Sequence, residues 1–403
     1  MIRFKQYIEE STKTVHMKHL EELVLDGGVQ GAVGALNFLR SLRDMLGGST
    51  KAPVNVTVKW DGAPTIFAGT DPTDGKFFVA RKGIFNKNPK VYKTNADIDA
   101  DDAPEDLAVK MKLALAEFPK LGIKGVVQGD FLYAKEDLKV VDIDGEPFVT
   151  FHPNTIVYAV PAKSETGKRI LASKVGVVWH TTYRGNSFDA MSASFGEAIA
   201  SGFKETPTVW AVDAVYKDVS GTATFTAKET AELTAILSRA GKLLSGLQRG
   251  TLEKVAKTPA ILNNVKIYFN AKVKAGQEVS LSDMAAWFDA HWKADAEAKK
   301  SPKGKADAAA RGGEIQAFIH SQQGKDFFEY YNEIVRAKHM VIRKMDKAGS
   351  LSTFLKTKDG MQVTGHEGFV AIDHTGANAV KLVDRMQFSR ANFSSDIIKG
   401  YQR

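Results

Sequence analysis

The spacing of apolar positions changes along this chain, and the change divides it. In AKETAELTAILSRAGKLLSGL, residues 227–247, Leu233, Ile236, Leu237, Ala240, Leu243 and Leu244 share one face at helical spacing. SLSDMAAWFDAHWKADAEAKK and GGEIQAFIHSQQGKDFFEYYNEIVRAKHMVIRKM continue the helical pattern, with Ser280 or Ser282 as an N-cap. Trp287, Phe288 and Trp292 fall at core spacing, whereas Phe327, Phe328, Tyr330 and Tyr331 are too many for one face, so some are expected to meet a partner. The link KKSPKGKADAAARGG, residues 299–313, carries Pro and Gly and is expected to be an exposed loop. On either side the period shortens to that of strands, in VNVTVKW, TIFAGT, KFFVARKG, KGVVQGDFLY and TIVYAV, with TDPTDGK as a hairpin turn. GFVAIDHTGANAVKLV predicts a further hairpin turning at HTGAN, and residues 5–47 predict a helical lead-in ending near Gly47–Gly48. The expected organisation is α+β: a helical segment over 1–50, a mixed-sheet domain over 51–225 and 350–403, and a helical insertion over 226–349.

Composition narrows the function. Hydrophobic residues make up 43% and charged residues 25%, an ordinary globular balance. No apolar run approaches the roughly 18 to 20 residues that span a bilayer, so no membrane partner is expected. The opening MIRFKQYIEE lacks the apolar core of a signal peptide. Cysteine is absent, which excludes disulfides, Cys-bound zinc, iron–sulfur clusters and thiol catalysis and fits a reducing compartment. The net charge is +8. Lys228–Lys347 holds about 21 basic against about 14 acidic residues, so nearly all the excess lies in the insertion.

The string that carries chemistry is Val56-Thr57-Val58-Lys59-Trp60-Asp61-Gly62. It sets a lysine at the end of an apolar strand, followed by an acid and a glycine. A lysine becomes nucleophilic where desolvation or a nearby cation helps it shed a proton, and a strand end suits that. Alone, Lys-x-Asp-Gly is a common strand-to-turn junction. There is no Gly-x-x-x-x-Gly-Lys-Ser/Thr, no Gly-x-Ser-x-Gly and no His-Glu-x-x-His. His16 and His19 are three apart on an expected helix, but two ligands do not make a metal site. His180, Tyr183 and Arg184 in VVWHTTYRG are candidates for a polynucleotide-binding rim, and Lys82 is expected to be solvated.

Lys59-Trp60-Asp61-Gly62 resembles the nucleotidyl-acceptor motif of the covalent nucleotidyltransferases: ATP-dependent DNA ligases, RNA ligases and mRNA capping enzymes. Five later segments resemble that superfamily's motifs in chain order. Ala80-Arg81-Lys82-Gly83 is similar to the Arg-containing segment, and Gln128-Gly129-Asp130-Phe131-Leu132 to the Gly-Glu motif, with Asp for Glu. Ile156-Val157-Tyr158-Ala159-Val160 resembles the strand whose aromatic stacks on the nucleobase. His366-Glu367-Gly368-Phe369-Val370 resembles the Glu-Gly-Val-Val motif, and Ala379-Val380-Lys381-Leu382-Val383 the final lysine motif.

The resemblance implies an ATP-grasp-like nucleotidyltransferase domain over roughly 54–160 and 364–385. It implies Lys59 as nucleophile, Lys381 on the α-phosphate, and Glu367 and Asp130 as carboxylates for Mg²⁺ (or Mn²⁺) or the sugar. Asp61 would orient the lysine or the metal and Arg81 would contact phosphate or ribose. Tyr158 would stack on the base, and Val58 and Gly62 would line the ATP site, Gly62 by close backbone approach. Two departures stand: Val383 replaces a second lysine, with Arg385 out of phase, and Tyr158 and Glu367 are unusually far apart. Only 22 residues follow Lys381, too few for the OB domain of DNA ligases and capping enzymes, so RNA ends are the expected substrate. The insertion would then grip the polynucleotide. A DNA nick-sealing ligase, or a catalytically silent nucleic-acid-binding protein on the same fold, is the alternative. The expected location is the cytoplasm, that of a host cell if the protein is phage-encoded.

Overall fold

A computed structural model describes residues 17–49, 54–101, 103–216, 224–277, 279–348, 351–373 and 378–400. His16, most of the HTGAN turn and the first part of the lead-in lie outside these. Every β-branched or aromatic run named above is a strand. Among the described residues the strands are β1 (Val54–Lys59), β2 (Thr65–Thr70), β3 (Phe77–Ala80), β4 (Val91–Tyr92) and β5 (Val126–Ala134). They continue with β6 (Lys139–Ile143), β7 (Glu146–Phe151), β8 (Ile156–Pro161), β9 (Val175–Arg184), β10 (Ser192–Phe195) and β11 (Val209–Asp213). After the helical region come β12 (Ser352–Thr357), β13 (Gly360–Val363), β14 (Gly368–Asp373) and β15 (Ala379–Leu382).

The helices are α1 (Glu22–Asp26) and α2 (Gly28–Leu46) ahead of β1, then α3 (Asn95–Asp99), α4 (Glu105–Glu117) and α5 (Glu165–Ala172) between strands. The helical region is α6 (Ala227–Gly246), α7 (Arg249–Lys257), α8 (Pro259–Ala275), α9 (Leu281–Ala298), α10 (Pro302–His320) and α11 (Gln322–Met345). A π-helical turn over Arg385–Ser389 leads into the short α12 (Arg390–Phe393).

Three sheets result, in the orders β1-β14-β15, β10-β9-β5-β2-β3-β4 with β11 on β9, and β13-β12-β8-β7-β6. All neighbours are antiparallel except β11 and β9. The chain is thus α+β, as its patterning implies. Leu36 and Leu39 of α2, Leu233 and Leu237 of α6, and Ile334 and Val341 of α11 share one core with Val56, Phe369, Val380 and Leu382 of the small sheet. The lead-in and the insertion, which look separate in sequence, therefore bury one face of β1-β14-β15 together. The large sheet is covered on its far side by α4, through Met111, Ala114 and Phe118.

Two expectations are corrected. The 299–313 segment is not a loop, because α10 starts inside it. Ser301 Oγ accepts the Gly304 N–H at 3.0 Å and Pro302 occupies the first turn, so the punctuation is a helix start. Gly312 lets α10 approach α9, since a Cβ there would lie 2.8 Å from Trp292 Cβ. Nor does α11 keep an aromatic for a partner: Phe327, Phe328, Tyr330 and Tyr331 are all buried, because α2, α6, α7, α9 and α10 surround it.

One charged pair lies inside this helical body. Lys338 of α11 and Glu21, which caps α1, are 2.8 Å apart with side chains 1% and 2% exposed. Burial alone would raise the Glu21 carboxyl, yet Lys338 and His19 bring it down to about 2. Its ionisation therefore adds stability at neutral pH that is lost as pH falls from about 4.5 towards 2. Lys338→Met should cost about 3 to 5 kcal/mol in urea unfolding, because it strands a buried carboxylate, and adding Glu21→Leu should recover most of the loss. A single variant as stable as the double would show that the pair is not coupled.

Candidate active site

Antiparallel pairing of β1 with β14 sets Lys59 opposite Gly368, so Glu367 arrives beside Lys59 and the two side chains form an ion pair. β14 and β15 then pair Val370 with Lys381. Alternation does the rest: Val54, Val56, Phe369, Ala371, Val380 and Leu382 point into the helical core, and Thr57, Lys59, Val370, Ile372 and Lys381 point the other way. They form one wall of a cleft of about 420 Å³. Thr65 and Phe67 of β2, Gln128 and Asp130 of β5, His180 and Tyr183 of β9, and Phe195 of β10 form the other.

The walls are tied at one end. The Ala214 N–H donates to Trp179 O at 3.0 Å, while Ala214 O accepts the Val58 N–H at 2.6 Å. At the opposite edge of the small sheet, the Lys381 N–H donates to Lys18 O at 2.9 Å, and Met17 reaches the cleft.

The charges in the cleft constrain one another. Burial raises Glu367 to about 7, with Asp61 and Asp130 adding to the rise and Lys59 opposing it. Burial lowers Lys381, and the Lys59 ammonium lowers it further. Burial pushes Asp130 up, but His180 and Lys59 outweigh it and the carboxyl ends below its ordinary value. Thr65 Oγ1 donates to Asp130 Oδ1 at 2.9 Å, and His180 Nε2 lies 3.6 Å from Oδ2. A bulge aims that histidine: Gln128 pairs with Thr181 and Gly129 with Trp179, which leaves His180 as the extra residue of β9.

Lys59, Val58, Asp130 and Lys381 all line this cleft, and Glu367 is in contact with Lys59. Gly62 makes the expected close approach, since a Cβ there would lie 2.6 Å from Asp130 Cβ. Three other residues fall elsewhere. Tyr158 cannot stack on a base. It is fully buried, with its ring between Trp60 at 5.1 Å and Phe151 at 5.2 Å, and its hydroxyl accepts the Asp61 N–H at 2.7 Å. β8 belongs to the third sheet, and Trp60 stands between that sheet and the cleft.

Asp61 does not face a metal. Its carboxylate accepts the N–H groups of Thr155 at 2.6 Å and Ile156 at 2.7 Å, and the Asn154 amide at 2.7 Å. Burial raises its pKa against those donors. Arg81 lines a neighbouring recess of about 480 Å³ rather than the cleft. Thr65 and Lys82 border both cavities, so Lys82, though exposed, belongs to the site.

His180 and Tyr183 are in the cleft, whereas Arg184 is exposed and pairs with Glu197. Phe67 and Tyr183, with rings 5.7 Å apart, are aromatic residues of the cleft wall. Their signal in the sequence was alternation on β2 and β9, which does not say which sheet face meets the lysine. The Tyr183 hydroxyl donates to Gln128 Oε1 at 2.6 Å. His19 is half-buried, and desolvation lowers it to about 4. Among the described residues no group of three His, Asp or Glu side chains is disposed to hold a metal alone. Two carboxylates facing a cleft fit Mg²⁺ differently: that ion keeps waters and is usually shared between one or two carboxylates and substrate phosphates.

The profile of a family of unknown function, DUF6267, matches residues 14–397, and the chain belongs to that family. No curated protein and no solved structure matches it. Among the described residues no helix is long and apolar enough to cross a membrane.

Two measurements probe this geometry. Asp61→Ala leaves the Thr155 and Ile156 N–H groups buried without an acceptor and should cost about 3 kcal/mol in urea unfolding; a loss below about 1 would mean that the loop is held otherwise. Glu367 holds its proton more tightly folded than unfolded. Its contribution to stability is therefore full below about pH 4.5 and lost as pH rises through about 7. Between pH 5 and pH 8 wild type should lose up to about 3 kcal/mol more than Glu367→Gln. Equal losses would show a Glu367 that titrates normally.

Proposed function

We propose that this chain is an ATP-dependent polynucleotide ligase that works through a lysyl-AMP intermediate. One observation carries the reading: β1, β5 and β15, far apart in sequence, bring Lys59, Asp130 and Lys381 to one cleft, and Glu367, just ahead of β14, is in contact with Lys59. In the first step Lys59 Nζ bonds to the α-phosphorus of ATP as the bond to pyrophosphate breaks. One ammonium proton passes to ionised Glu367, its contact partner, before the bond forms, and the second leaves the nitrogen with pyrophosphate. Lys381 balances charge developing on the α-phosphate, and its lowered pKa reflects the burial that makes an anion favourable there. The Phe67–Tyr183 wall, with Gln128, receives the base. Lys82 and Arg81 meet phosphates that extend into the neighbouring recess. Mg²⁺, held by Asp130 together with the phosphates, would supply charge neutralisation.

In the second step a 5′-phosphate oxygen bonds to the same phosphorus and the bond to Lys59 breaks, with the proton returning to the amine from Glu367. A 3′-hydroxyl then attacks the activated 5′-phosphate and AMP leaves. The strand is sealed between 5′-phosphate and 3′-hydroxyl ends. RNA is the favoured substrate, and DNA nicks are the comparison.

The test is incubation with α-³²P-ATP and Mg²⁺, followed by denaturing electrophoresis. Wild type should carry label that pyrophosphate discharges. Lys59→Ala should carry none, and Lys381→Ala should label about 100-fold more slowly or worse. An unlabelled wild type whose intact mass shows no bound nucleotide would end the enzymatic reading and leave the silent nucleic-acid-binding one.

A further inference from the structure

The helical region is not uniformly basic. From Lys254 to Lys274 the chain holds Lys254, Lys257, Lys266, Lys272 and Lys274 and no Asp or Glu. On α8, Asn263, Lys266, Ile267, Asn270 and Lys274 recur at steps of three or four, so they form one stripe. Ile267 is 48% exposed, and Asn270 and Lys274 are open to solvent.

The segment that follows β15 lies against this stripe. Arg385, three residues beyond the end of β15, donates to Asn270 Oδ1. Arg390 rests on the end of α8, where a Cβ on Gly276 would come 2.5 Å from the guanidinium carbon. Phe393 is 54% exposed, and Lys274 Nζ sits 4.9 Å from its ring centre. Among the described residues Lys274, Arg385 and Arg390 have no carboxylate within salt-bridge distance. Among the described residues the acids nearby are otherwise engaged: Asp283 with Lys272 at 2.7 Å, and Asp384 with the Met386 and Gln387 N–H groups at 3.0 and 3.1 Å.

The same turn touches the segment that leads to Glu367. Gln387 Nε2 donates to Thr364 Oγ1 at 3.4 Å, three residues before Glu367, and β15 carries Lys381. Cations with no carboxylate partner among the described residues, side-chain amides and exposed apolar groups, including an aromatic ring, in one strip fit a flexible polyanion with flat, stackable rings.

We infer that α8 and the Arg385–Phe393 turn form the docking track for a single-stranded polynucleotide, which leads its end towards Lys59. Lys274, Arg385 and Arg390 neutralise phosphates, Asn263 and Asn270 hydrogen-bond the backbone, and Phe393 stacks on a base. The direction of the track rests on the ligase reading of the cleft; the binding itself does not.

The test is fluorescence anisotropy of the full chain with labelled single-stranded 20-mers of RNA and of DNA, titrated from 50 to 200 mM salt. Lys274→Glu/Arg390→Glu should weaken binding at least tenfold and reduce the salt slope by about 1.4, at about 0.7 per lost phosphate contact. Phe393→Ala should weaken binding about fivefold and leave that slope unchanged. Lys303→Glu, on the exposed side of α10, should match wild type, and unfolding curves should confirm that every variant is folded. Binding by the double variant equal to that of Lys303→Glu, or no binding by wild type, would overturn the track. Nucleotide labelling on the same preparations separates the two ideas. An unlabelled wild type that still loses strand binding through these residues would keep the track and remove the ligase, whereas labelling without strand binding would do the reverse.

Discussion

The pairing of β1 with β14 is the contact on which the rest depends. It joins segments separated by about 300 positions, and its register alone decides that Lys59 meets Glu367. A shift of one residue would turn Lys59 into the helical core and Val56 out of it towards the cleft. Closing so long a loop costs entropy, and hydrogen bonds along one six-residue strand do not offset it alone. The offset comes from the apolar face of the small sheet, where Val56, Phe369, Val380 and Leu382 are sealed by α2, α6 and α11. The helical body is therefore needed to hold the two halves of the site together.

A second layer of support lies beneath the lysine. The Asp61 carboxylate gathers the N–H groups at the start of β8, while the Tyr158 hydroxyl takes the Asp61 N–H. Trp60 stacks on Tyr158 from the cleft side. Residues that resemble a binding motif thus serve to fix the strand end from which Lys59 projects. A side chain held by buried neighbours reaches its target with less reorganisation, which is what group transfer to a positioned nucleophile requires. The C-terminal segment adds to this: Gly400 donates to Asn154 O at 2.6 Å, and the Thr155 hydroxyl donates to Asn392 Oδ1 at 2.6 Å.

The opposite wall uses a different device. Glycine at 129 has no room for a Cβ, because Val178 O and the Trp179 ring lie against it. That close approach accompanies the bulge that turns His180 towards Asp130. The two walls then place three cations, two carboxylates and an imidazole around a space lined elsewhere by Phe67, Val370 and Ile372. Burial dominates at Glu367, whereas His180 and Lys59 outweigh it at Asp130, which is why Glu367 rises while Asp130 falls although both are carboxylates near Lys59.

Local pattern was enough to place the strands named above, the 227–247 helix and the hairpin that carries Lys381, because each depends on the spacing of apolar residues within one segment. It also marked Lys59, Asp130, Glu367 and Lys381, which differ from their apolar strand neighbours. It missed the first half of α10, whose Pro and Gly look like loop residues until a capping serine and a facing tryptophan give them other uses. It could not tell that Tyr158 and Asp61 point away from the cleft or that Phe67, His180 and Tyr183 point into it. A period of two gives each strand two faces and leaves both unassigned. Only the stacking of three sheets and a shared helical core decided which face met the lysine.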